Sequence, residues 1–288
     1  KRGWYISDSV SHSFPSFPGD VVIPLAKGIH IKQILLLKRN DELIIIVVLF
    51  HLMSEEKYFR RIRSFVRREG RLTKGQQRAL DELFPVYGLA PAENETLSFE
   101  SIFKKDHPVH LEIGFGNGQS LIQMAANHPD INYVGIEVHR PGVGSALLQI
   151  EAQSLQNMRV ICEDAVDVLN HHIPDQSLSA VYIFFPDPWH KKRHHKRRLV
   201  QADFVKQLRK KLQDDAILHY ATDWQDYAQH MLDVMQQVEG FRNVAKQDPD
   251  NQTGFSERPD DRPITKFEQR GLRLGHGVWD LIYKKTQA

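Results

Sequence analysis

The sequence predicts an α/β protein: a doubly wound, mostly parallel sheet with a basic N-terminal arm. Three observations carry that expectation. Short apolar runs recur from residue 109 onward with helix-length stretches between them, and strands that alternate with helices pair in parallel through crossovers. The runs end in or just before an acid, and right-handed crossovers bring all those ends to one rim. The first run leads into Gly114-Phe115-Gly116-Asn117-Gly118, a turn in which glycine lets backbone approach a ligand closely.

At 288 residues the chain can bury one substantial core. Its 41% hydrophobic and 26% charged residues are ordinary for a globular protein in water. The net charge is only +2, so a polyanionic partner has to be read from where the cations cluster. A single cysteine, Cys162, excludes an internal disulfide and fits a reducing, cytoplasmic setting. Within its apolar run it reads as a buried structural thiol.

Residues 1–52 precede the first methionine, Met53. They are expected to be a non-native or disordered extension, upstream sequence read in frame, with a partner-binding tail or an extra hairpin as the rival reading. Their apolar bursts at 34–37 and 43–50 fall far short of the roughly 20 residues that a membrane helix needs. No signal-peptide pattern is present. No membrane is expected as a partner.

Residues 53–107 read as a basic arm and linker. Arg60, Arg61, Arg63, Arg67, Arg68, Arg71 and Lys74 interleave with Phe59, Ile62, Phe65 and Val66, which suits a grip on a phosphate backbone by counterion release. The rival reading of the segment taken alone is a basic linker or a solvated helix face. Thr73 is placed to cap a helix over 74–83, closed by Pro85 and Gly88. Residues 89–107 read as an irregular polar connection.

The core domain is expected over 108–288. Its first strand, 109–113, carries Glu112 and leads through the glycine turn into a helix over 119–127. The dinucleotide fingerprint would want glycine where Gln119 stands, so a nicotinamide cofactor is disfavoured. Further strands follow at 133–136 before Glu137, at 158–162 before Asp164, at 180–185 before Asp187, and at 216–221 before Asp223. Helices are expected over 144–155, 203–212 and 227–238. One such acid would read as a turn residue or cap; five in register read as a site.

The stretch that organises the chain runs from Phe184-Phe185-Pro186-Asp187-Pro188-Trp189-His190 into a run of cations ending at Arg198. Proline cannot donate to a sheet ladder, so Pro186 and Pro188 end the strand and stiffen the turn around Asp187. That turn sits at the C-terminal edge of a parallel sheet, where ligands bind. Trp189 reads as a base-stacking ring or as packing beneath the turn. His190, His194 and His195 lack a matching acid or cysteine cluster, so no metal is expected.

Glu112 with the glycine turn, and the acids after the second and third strands, resemble the S-adenosylmethionine site of class I methyltransferases. The resemblance implies a seven-stranded, Rossmann-like sheet. It assigns Glu112, Gly114, Gly116 and Gly118 to the methionine part, Glu137 to the ribose hydroxyls and Asp164 to the adenine amine, with Asp187 also on the cofactor. Carboxylates are apt acceptors for those groups.

A closer resemblance covers residues 58–283. Pro186-Asp-Pro-Trp-His-Lys-Lys192, Gly135-Ile-Glu-Val-His139, Ala221-Thr-Asp-Trp224, Arg262-Pro-Ile-Thr-Lys-Phe-Glu-Gln-Arg-Gly271 and Leu274-Gly-His-Gly-Val-Trp-Asp-Leu281 are similar to the motifs of bacterial tRNA (guanine-N7-)-methyltransferases. The resemblance implies methyl transfer to N7 of a guanine in the tRNA variable loop, position 46. It implies Asp187 as the catalytic carboxylate, with Lys191, Asp223, Thr265, Lys266, Phe267 and Glu268 on the substrate. Arg193, His194, His195, Lys196, Arg197 and Arg198 would meet RNA. Residues 265–271 are expected as a loop over the acceptor and 278–283 as a closing strand. Oligomeric state is left open. The rivals are methylation of another acceptor and a catalytically silent RNA-binding protein.

Overall fold

In the computed structural model the described residues are 35–39, 42–46, 62–65, 70–93, 95–273, 275 and 277–287, with the side chains at 35–39, 42–46, 266, 267, 270 and 272 left aside. Arg60, Arg61, Arg67 and Arg68 of the expected arm lie outside them. The chain divides into two units, residues 1–61 and 62–288. In the first, β1 (Leu35–Arg39) and β2 (Glu42–Ile46) pair as an antiparallel hairpin, Leu35 opposite Ile46.

The second unit opens with α1 (Lys74–Arg78), a π-helical turn over Ala79–Leu83 and α2 (Phe84–Tyr87). Thr73 caps α1 reciprocally with Gln76, which satisfies two otherwise orphaned N–H donors. Pro85 does not end the helix as expected. It lies in the first turn of α2, and Gly88 follows as the cap; there a missing N–H costs nothing. Leu89 N–H then donates to Val160 O at 2.8 Å. The expected irregular linker holds one short helix, α3 (Phe99–Phe103), capped by Ser98.

The sheet comprises β3 (Val109–Ile113), β4 (Asn132–Ile136), β5 (Met158–Ile161), β6 (Leu178–Phe184), β7 (Leu212–Thr222), β8 (Phe241–Asn243) and β9 (Trp279–Lys285), in the order β5-β4-β3-β6-β7-β9-β8. β9 alone runs antiparallel, against both β7 and β8. Its crossovers are α4 (Gln119–Asn127), α5 (Arg140–Gln153), α6 (Ala165–His171), α7 (Ala202–Lys211) and α8 (Gln225–Gln237). α9 (Lys266–Arg273) precedes β9. α5 starts earlier than expected because Pro141 occupies its first turn, where proline is pre-shaped for a helix.

Successive residues of β4 point to opposite faces. Tyr133 joins a core with Leu121, Leu147 and Val160, while Val134 joins another with Leu169, Val205 and Met231. Helices α4 and α5 thus cover one face and α6, α7 and α8 the other. A fully buried leucine such as Leu147 contributes about 2 kcal/mol by leaving water. Gly114 lies level with β4 through its N–H to Ile136 O at 2.8 Å, so the strand ends stay in register at the rim.

Candidate active site

A cavity of about 660 Å³ opens at that rim, lined by Glu112, Gly116, Glu137, Asp164, Asp187 and Thr265 among others. Four of the five expected rim acids line it. Asp223, half-buried after the next strand, does not, and Glu163 does.

Glu112 projects from β3 and is 3% exposed. Its Oε2 is buried with no hydrogen-bond partner among the described residues. Burial, and secondarily the neighbouring charge of Glu137, push its pKa up to about 8. A buried, unpartnered carboxyl of this kind calls for a cationic or donating ligand group.

Glu137 spends its oxygens on backbone. Oε2 accepts from Gly116 N–H at 2.9 Å, and Oε1 accepts from Val138 and His139 N–H at 2.7 and 2.9 Å. The acid after β4 thereby pins the glycine turn. Gly114 and Gly116 sit at φ of 78° and 61°, and a Cβ on either would meet no protein atom within 4 Å. The left-handed backbone demands glycine, and the space beside it is left for a ligand. Gly118, at φ 81°, caps α4 instead. Asp164 accepts from Val166 N–H at 3.1 Å, so it caps α6 while lining the cavity. An elongated ligand with a cationic end, hydroxyls and amines suits this lining.

Asp187 stands on a turn held from several sides. Phe185 and Trp189 take left-handed φ of 51° and 48°, and Phe185 N–H prolongs the ladder to Ala221 O at 2.7 Å. Arg198, expected among the RNA contacts, has a side chain 1% exposed. It donates to Pro188 O at 2.9 Å, pairs with Asp226 and lies over the Tyr227 ring. The guanidinium holds the Asp226 carboxyl below the usual range.

Trp189 and Arg197 are also committed. Trp189 Nε1–H donates to Ser64 O at 3.0 Å, Arg197 donates to Phe65 O at 3.0 Å, and the guanidinium stacks on the indole at 4.0 Å. Ser64 and Phe65 are themselves cavity wall. His194 and His195 are half-buried, whereas Lys191, Lys192, Arg193 and Lys196 are exposed.

The segment expected as a loop over the acceptor is helical. Thr265 Oγ1 accepts Glu268 N–H at 3.1 Å and so starts α9. Glu268 is 3% exposed, and its two oxygens receive Arg262 Nη1 and Nη2 at 2.8 Å each. Arg262 also pairs with Asp280, Nε to Oδ1 at 2.8 Å, and Asp280 meets His219 Nε2 at 2.7 Å. Sequence reasoning passed over Arg262, Asp280 and His219 as functional residues. Their partners lie on separate elements, and no spacing announces them. The side chains of Lys266 and Phe267 lie outside the described residues.

Among the described residues no group of three or more His, Cys, Asp or Glu side chains is placed to hold a metal, and no helix is long and apolar enough to cross a membrane.

A family model described as "Putative methyltransferase" matches residues 106–281. A tRNA (guanine-N(7)-)-methyltransferase of Aeromonas hydrophila subsp. hydrophila is 56% identical over 234 residues, covering 81% of this chain and 96% of the relative. Its namesake in Vibrio parahaemolyticus is 55% identical over 233 residues, covering 81% and 95%. That of Alcanivorax borkumensis is 56% identical over 229 residues, covering 80% and 93%.

Proposed function

This chain belongs to the tRNA (guanine-N(7)-)-methyltransferase family and is an S-adenosylmethionine-dependent enzyme of tRNA modification; from that premise we propose that its acceptor is the variable-loop guanine and that Asp187 is the carboxylate that attends the transfer. The observation that carries this reading is that Asp187 and Glu112 line one cavity.

When bound, S-adenosylmethionine supplies an electrophilic methyl group on a sulfonium. The residues present suit it. The unpartnered Oε2 of Glu112 faces a need for a donor that the cationic amino group meets. The glycine turn leaves room beside backbone and is held by Glu137; with the cofactor bound, Glu137 would face the ribose hydroxyls and Asp164, in the same lining, the adenine amine.

Guanine N7 carries a free lone pair, so the attack requires no general base. What the chain has to provide is alignment. The transfer leaves positive charge on the purine, and a carboxylate fixed beside it stabilises that charge as it develops. Asp187 is fixed by two left-handed residues and by Arg198 beneath them. Thr265 lines the same cavity, and we read it as a substrate position together with Lys191 and Asp223. The exposed cations Lys192, Arg193 and Lys196 supply phosphate contacts to the RNA. A guanine within folded tRNA is partly stacked, and drawing it out is the usual solution for base-modifying enzymes.

Asp187→Asn tests the assignment. Turnover is expected to fall by about two orders of magnitude or more, with cofactor affinity within a few-fold of the parent enzyme. Near-normal turnover would refute it.

A further inference from the structure

Arg262 is 2% exposed and joins three parts of the site. On one side its fork grips both oxygens of Glu268, in the first turn of α9, at 2.8 Å each. On the other it meets Asp280 of β9, Nε to Oδ1 at 2.8 Å and Nη2 to Oδ2 at 3.1 Å. Asp280 is braced in turn by His219 of β7 at 2.7 Å. Between these anchors the guanidinium faces the rings of Phe184 and Phe185, at 5.8 and 5.9 Å from their centroids. Those rings immediately precede Pro186 and Asp187.

We propose that Arg262 is a positioning residue for methyl transfer, and that Glu268 acts through Arg262 rather than by touching the guanine. This rests on the functional reading above. A planar guanidinium that forks onto Glu268 and hydrogen-bonds Asp280 through Nη2 holds both carboxylates in fixed relation, which a lysine ammonium does not reproduce. The Glu268 end fixes the start of α9, where Thr265 forms one cavity wall. The Phe184 and Phe185 end fixes the turn that bears Asp187, another wall. Arg262 therefore sets the relation between the two walls against which the acceptor base lies. Both Glu268 oxygens are turned to Arg262, and the buried side chain is not part of the cavity lining. Alignment of reacting atoms is sensitive to small displacements, so the cost of losing the fork falls on the chemical step.

The test is a double-mutant cycle on the full chain with an unmodified tRNA transcript, reading kcat, KM for tRNA, cofactor Kd and melting temperature. Arg262→Lys keeps the charge and removes the fork; Glu268→Gln keeps the shape and removes one charge. Each is expected to lower kcat by about tenfold or more while KM for tRNA and cofactor Kd stay within threefold. The double variant is expected to be no worse than Arg262→Lys alone, because both changes break one unit. If Arg262→Lys does not fold, Glu268→Gln and Asp280→Asn give the same cycle, since both act on Arg262. Losses that multiply, or a single variant with kcat within twofold of the parent, would overturn the proposal. No label at N7 with the parent enzyme would overturn the functional reading itself, so the two failures are distinguishable.

Discussion

Glu112 departs furthest from its behaviour in water, and that makes it testable. Its carboxyl titrates near 8 when buried, against an ordinary value of 4.5. In the ligand-free protein, folding therefore takes up a proton between those values, and stability falls as pH rises through that window. Glu112→Gln is expected to flatten that slope in pH-dependent melting. If Glu112 receives the cationic amino group, binding returns it to the charged form. Close to one proton should then be released at pH 7, seen as a buffer-dependent binding enthalpy in calorimetry and lost in Glu112→Gln. An enthalpy independent of buffer would place the amino group elsewhere. Residue-scale sorting of the basic run follows from burial. Arg198→Ala should cost about 2–4 kcal/mol of stability, because removing the buried guanidinium leaves Pro188 O unpaired. Arg193→Ala, at an exposed position, should leave stability unchanged and reduce the salt slope of tRNA binding by about one. The sequence run of like charges hid this division, since burial is not written in composition.

At the scale of elements, the glycine turn and α5 form one device. A Cβ at Gly142 would lie 2.1 Å from Gly116 O, so the start of α5 can approach the turn only without a side chain. Gly142→Ala should push the turn out of place and weaken cofactor binding by about tenfold, measured by titration, with turnover at saturating cofactor less affected. The elements legible in sequence were those with local signals: apolar runs for β3 through β6, glycines before α4, and Thr73 before α1. The acid Asp164 proved to be helix cap and cavity lining at once, a double use that hid α6. Thr265 and Glu268 have the spacing of a capping box, a signal for α9 that the expected loop overlooked. β8, three residues long, and the polar start of β7 carried too little pattern to be seen.

For the whole molecule, topology did much of the work. Once the apolar runs alternate with helices, handedness alone gathers Glu112, Glu137, Asp164 and Asp187 at one rim. What topology could not convey is which groups still have hydrogen-bonding capacity there. Glu137 and Glu268 are occupied by the protein's own donors, while Glu112 keeps an oxygen unpartnered. The cluster of Arg262, Asp280 and His219 arises where the last strand returns between β7 and β8, contacts across tens of residues that no local pattern encodes. The measurement that bears most directly on the account is methyl transfer from labelled S-adenosylmethionine to an unmodified tRNA transcript, beside the same transcript with its variable-loop guanine changed to adenine. The account predicts label on the first alone, mapped to N7 of that guanine and abolished by Asp187→Asn. Label on both transcripts, or label that survives Asp187→Asn undiminished, would contradict it.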